Sequence, residues 1–126
     1  MSDNFYATSG INNPITVATN FTGALANACT LSYFKVGKQV TFSITPVSSA
    51  SLGAAFVGVA ALLPAGFRPA SNIYYAIPVS DNSAAANGSI RVNSTGQIFY
   101  ASNNQLAFAG TGSITLFEVC FTFLVP

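Results

Sequence analysis

Apolar and polar residues alternate with a period of two through much of the chain, and no stretch shows a convincing helical period. The clearest case is residues 31–45. Leu31, Tyr33, Val40, Phe42 and Ile44 fall on one face, with Lys35 at the tip. Ser32, Thr41 and Ser43 share the other face with Phe34 and Val36. Gly37 and Lys38 divide the run, and Gly at the first of two loop positions suits a type II′ turn that pairs Val36 with Gln39. A second hairpin is expected from residues 88–93 and 97–101, joined by Ser94, Thr95 and Gly96 in a three-residue loop ending on Gly. It places Ile90, Val92, Ile98 and Tyr100 on a core face. Arg91 and Phe99 then meet on the outer face, at cation–π range.

Other elements follow from the same pattern. Residues 15–19 alternate weakly and predict a first strand, followed by a loop over 20–28. Residues 47–53 read as a loop. Residues 54–62 are apolar throughout; their length allows a helix, but Phe56, Val57, Gly58 and Val59 favour a buried strand. Residues 72–79 predict a strand with Ile73, Tyr75, Ile77 and Val79 on one face, and Pro78 marks an edge or exit. A loop over 80–87, a turn at Asn103 and Asn104 and a short strand over 105–109 come next. Residues 114–125 are apolar on both faces and predict one long central strand.

Residues 63–69, LPAGFRP, interrupt the pattern in mid-chain. Pro64 and Pro69 lack a ladder N–H, and Gly66 permits a bend. This stretch is expected to carry the chain from one sheet to another, with Phe67 plugging the core and Arg68 available as a partner for an acid. Together these signals predict an all-β fold, an antiparallel β-sandwich, jelly-roll-like, of about 8–10 short strands. One domain over residues 15–126 follows an N-terminal arm, residues 1–14.

Composition alters this picture in one respect. Charged residues make up only 6% of the 126 residues, and hydrophobic ones 51%; soluble domains carry about 25% charge. A permanent oligomer that buries surface is one explanation, and a neutral hydroxyl- and amide-rich surface is the other. The net charge of +1 leaves no electrostatic footprint for nucleic acid. No run of about 18 apolar residues predicts membrane insertion, and the first residues carry no signal-peptide pattern. Cys29 and Cys120 are expected as reduced thiols, with one disulfide between them as the alternative, and Cys120 suits a core position.

Catalytic chemistry finds no foothold. There is no histidine, and the only acids are Asp3, Asp81 and Glu118. No phosphate loop, metal cluster or catalytic triad is spelled, so neither an enzyme nor a cofactor is expected. Glu118 lies within the apolar run of 114–125, where a carboxylate must be paired, protonated or at an opening. An ion pair with Lys35, Arg68 or Arg91, or a hydrogen-bonded site at a subunit junction, is expected, with a ligand or catalytic role as the alternative. Three Asn-x-Ser/Thr triplets, at Asn20, Asn87 and Asn93, are the chance product of a chain rich in these residues. Tyr74, Tyr75, Tyr100 and Phe99 form either a core or interface cluster or an aromatic binding surface. On the second reading Tyr74 and Tyr75, with the loop amides of Asn103 and Asn104, are the candidate binding residues.

An ordered series of short motifs carries a resemblance. Tyr33, Lys35, Gly37 and Val40 come first, then LPAGFRP with Pro64, Gly66, Phe67 and Arg68, then Gly88, Ile90, Val92, Gly96 and Ile98, and last an aromatic strand. Over roughly residues 30–125 this series resembles the head domains of phage tail-fibre, baseplate and viral fibre-knob proteins, and trimeric jelly rolls of the tumour-necrosis-factor and C1q type. The resemblance implies a homotrimeric structural protein of a virion, made in the host cytoplasm. Its role would be attachment to a host-surface glycan or protein, or surface decoration. A soluble lectin-like or cytokine-like trimeric module outside any virion is the alternative.

Overall fold

The computed structural model describes residues 14–126; the expected arm lies outside them apart from Pro14. Ten antiparallel strands form one hydrogen-bonded sheet that curls into two layers, and no α-helix occurs among the described residues. One layer contains β1 (Ile15–Gly23), β2 (Ala28–Val36), β3 (Gln39–Ile44) and β10 (Val119–Leu124), in the order β10-β3-β2-β1. The other contains β4 (Val47–Ala50), β5 (Val57–Val59), β6 (Ile73–Asp81), β7 (Ala84–Val92), β8 (Ile98–Ala101) and β9 (Ser113–Leu116), in the order β5-β8-β7-β6-β9-β4. The fold is the expected jelly-roll-like β-sandwich.

β1 joins the layers because it changes partner along its length. Ile15 to Asn20 pair with β2, whereas Phe21 to Gly23 pair with β5. The loop expected after residue 19 is therefore partly strand. The inner faces meet in one apolar core. Phe42 lies 6.3 Å from Tyr75 across the gap, and Phe21 meets Tyr100 edge to face at 6.0 Å. Alternation is what builds this core: Leu31, Tyr33, Val40, Phe42 and Ile44 are all buried, as are Ile90, Val92, Ile98 and Tyr100.

Both expected hairpins form. Val36 pairs with Gln39 around Gly37, whose φ is +60°, and Val92 pairs with Ile98. A third hairpin replaces the loop expected over 80–87. Asn82 and Ser83, at φ of 53° and 62°, make a two-residue turn of the type I′ hand that pairs Asp81 with Ala84. Residues 47–50 are strand β4 rather than loop. Of the apolar run 54–62 only β5 is strand. The segment after β8 is not a strand; Asn103–Gln105 form a single 3-10 turn, closed by an isolated Ser102–Leu106 bridge. Asp81 anchors this segment: its carboxylate accepts from Ser102 Oγ at 2.7 Å and from the Ala109 amide at 3.1 Å.

The largest correction concerns residues 114–125. The run breaks at Phe117 and Glu118, where the chain leaves β9 in one layer and enters β10 in the other. β10 is consequently an edge strand, not a central one. Its inner face buries Val119 and Phe123, whereas Cys120, Thr122 and Leu124 face outward. Cys120 is exposed and Cys29 buried, and both are free thiols. Glu118 is exposed at the corner, so it requires no buried cation.

That corner is the crossing expected of residues 63–69. LPAGFRP instead links β5 to β6 within one layer and closes over the β2–β3 tip. Pro64 is half-buried and Gly66 takes φ +91°. Phe67 is half-buried and packs edge to face on Tyr33 at 5.1 Å, capping the core without entering it. Arg68 donates from Nε to the Leu63 carbonyl at 2.7 Å rather than to an acid.

Candidate functional site

Successive residues of a strand point to opposite faces, and this separates the two candidate tyrosines. Tyr75 faces the other layer. Its ring stacks on Phe121 with centroids 4.2 Å apart, and its hydroxyl donates to the Thr122 carbonyl at 2.6 Å. Burial pushes the Tyr75 hydroxyl above the usual phenol range. Tyr75 thus ties β6 to β10 and does not share a surface with Tyr74. Tyr100 is wholly buried. Tyr74 points outward and is 48% exposed.

Sheet register assembles a groove around Tyr74 on the outer face. Tyr74 pairs with Arg91, Arg91 with Phe99, and Phe99 with Gly58, so these four residues form one row across β6, β7, β8 and β5. Gly58 has no side chain, and the Phe99 ring lies 3.5 Å from the position a Cβ would take there. The Arg91 guanidinium sits over the same ring, with Cζ 4.8 Å from the centroid. The next row, Ala76, Ser89 and Ala101, is small and forms the floor. Phe56 and Gln105 complete the lining. Asn87 extends the depression away from Arg91 and borders a second one that includes Asn103 and Phe117.

The groove thus offers an exposed aromatic ring, a cation, and hydroxyl and amide groups around a floor of small residues. The Arg91 Nε is buried and lacks a hydrogen-bond partner among the described residues. That nitrogen is closed to a ligand, but the guanidinium as a whole lines the cleft, and its in-plane donors suit a planar acceptor such as a carboxylate. Of the sequence candidates, Tyr74 lies in the groove and Asn103 in the separate depression beyond Asn87; Asn104 belongs to the same 3-10 turn. Pro64, Gly66, Phe67 and Arg68 cluster at one end of the sandwich, and Glu118 sits at the β9–β10 corner. Phe56, Ser89, Arg91 and Gln105 were not among the sequence-derived site residues. The signal for Arg91 was present in its outward pairing with Phe99.

Among the described residues no three His, Cys, Asp or Glu side chains come together to hold a metal. No helix among the described residues is long and apolar enough to cross a membrane.

The curled two-layer antiparallel sandwich has a counterpart among solved structures. The reovirus attachment protein sigma1, solved in complex with alpha-2,3-sialyllactose, has this fold; it matches 89% of the chain at a TM-score of 0.52 with 14% sequence identity. The chain spans 64% of the length of that sigma1 chain. At this identity the likeness is one of fold. No protein-family model and no curated protein sequence matches the chain.

Proposed function

We propose that this chain is a viral structural protein, the head of a homotrimeric attachment module that holds a host-surface glycan in the Tyr74–Arg91 groove and catalyses no reaction. The observation that carries this reading is the groove itself: an exposed tyrosine beside an arginine seated over Phe99, on a fold shared with an attachment protein solved with a sialylated sugar. The Tyr74 ring offers an apolar platform to the C–H face of a pyranose. Arg91 offers in-plane donors to a sugar carboxylate, and its seat on Phe99 and its place between two strands fix its orientation. Ser89, Asn87 and Gln105 supply hydrogen bonds to hydroxyls. Binding by such a site is weak per copy, and three copies on one head would raise it through multivalency.

The test is a glycan array probed with the purified protein and with Tyr74→Ala and Arg91→Gln. Sialylated glycans are expected to bind, and each substitution to weaken binding by about tenfold or more, the loss of one stacking or charge-assisted contact. A wild-type protein that binds no glycan, or variants that bind as well as wild type, would remove the attachment reading. Mass spectrometry of purified virus particles decides the location. Absence from particles would leave the same groove to a soluble lectin-like module.

A further inference from the structure

Three of the four cations gather at one end of the sandwich. Lys38 occupies the β2–β3 turn, and its carbonyl accepts from the Val125 amide at 2.8 Å, which brings the far end of β10 to this place. Lys35 donates from Nζ to the Gly66 carbonyl at 2.8 Å and lies 4.8 Å from the centroid of the Phe67 ring. Arg68 is held by its bond to Leu63, whose amide in turn donates to the Gly96 carbonyl. A cleft lined by Lys35, Gly66, Arg68, Ser94, Val125 and Pro126 opens between Lys35 and Arg68, with Lys38 nearby in the turn.

The acidic side chains among the described residues are at the other end. Asp81 closes β6 at the end away from Ile73, and Glu118 precedes β10, roughly 23 Å from Val125 at the rise of an extended strand. A backbone carbonyl fixes a cation in place without neutralising it. Lys35 therefore keeps two N–H groups, and Arg68 keeps the four hydrogens of its Nη atoms, none bonded among the described residues. Local geometry also makes room for them. Gly96 takes φ +89°, and a Cβ there would collide with the Leu63 carbonyl and approach Arg68 Nε to 2.7 Å. At Gly66 a Cβ would come within 3.7 Å of Lys35 Nζ.

We propose that this cleft is a second binding site, separate from the groove, for an oxyanion group, sulfate or carboxylate, on an acidic saccharide chain. Cations fixed around a cleft, with the described acidic side chains at the far end, concentrate a field that attracts such a group. The chemistry fits a saccharide better than a nucleic acid. Net charge is only +1, and Phe67 is covered by Tyr33 and Lys35, which leaves no ring free for base stacking.

Retention of the intact protein on immobilised heparin, hyaluronan and double-stranded DNA tests this. Wild type is expected to bind heparin at low salt and elute as salt rises. Retention on hyaluronan as well identifies carboxylate as sufficient; retention on heparin alone identifies sulfate. Ala65 and Ala70 are exposed and line the cleft. Ala65→Glu with Ala70→Glu should weaken binding about tenfold, each added charge contributing roughly threefold at water-like screening. Thr111→Glu, at the opposite end, should leave it unchanged. Lys38→Gln, in the exposed turn, should weaken it about threefold by the same reckoning and serves if the double variant melts early. Absence of wild-type retention on both saccharides overturns the proposal. So does a folded double variant that binds like wild type, or stronger retention on DNA than on heparin.

Discussion

Tyr100 is the residue in the core whose chemistry is least matched to its surroundings. Its hydroxyl is buried with no hydrogen-bond partner among the described residues. Desolvation, joined by the charge of the neighbouring Cys29, pushes its ionisation well above the usual phenol range, and burial also pushes the Cys29 thiol up. A group whose pKa is raised on folding contributes its full stability below the unfolded value and loses it as pH climbs toward the folded value. Unfolded thiols and phenols ionise near pH 9–10, so denaturant unfolding should show stability falling from about that pH upward. Tyr100→Phe should flatten the phenol part of that fall. Because it also removes an unsatisfied buried group, it should raise stability at neutral pH by about 1 kcal/mol. Legibility at this scale followed alternation. Tyr100 and Ile98 were readable as core because their neighbours alternate cleanly, whereas Glu118 was read as lying mid-strand because nothing in the apolar run around it marks a break.

Elements were legible where a turn residue announces them. Gly37 and Gly96 both take positive φ, and the hairpins around them formed where the turn chemistry put them. Gly96→Ala tests how firmly the second is built. The new methyl group would meet the Leu63 carbonyl, which is backbone and has no easy escape, on top of the unfavourable φ. A loss of at least about 2 kcal/mol is expected in thermal or denaturant unfolding. The β6–β7 hairpin was missed because Asn82 and Ser83 make its turn without glycine. β4 was missed because its register with β9, from Val47 opposite Leu116 to Ala50 opposite Ser113, depends on a partner far along the chain. The groove was illegible for the same reason: the row from Tyr74 to Gly58 draws on four strands whose side-by-side order is a property of the whole sheet.

The whole molecule presents an outer face on β1, β2, β3 and β10 without a charged side chain. Thr16, Ser32, Thr41, Ser43 and Thr122 line it, and Leu124 stands 70% exposed. That face is the natural seat of contacts between copies in the proposed trimer, because an uncharged surface is desolvated at low cost. Light scattering is expected to give three times the 13.0 kDa protomer. Thr122→Lys should shift the mass toward one protomer, and a wild type that stays monomeric at micromolar concentration would contradict the trimer. The placement of β10 on this face has a kinetic consequence. Its ladder with β3 joins segments roughly 80 residues apart in sequence, the kind of long closure that slows folding. Until β10 docks, Tyr75 lacks both the Phe121 ring and the Thr122 carbonyl, and the β3 edge stands open to a strand of any neighbouring chain. The docking of β10 thus both completes the core around Tyr75 and covers the β3 edge against misassembly.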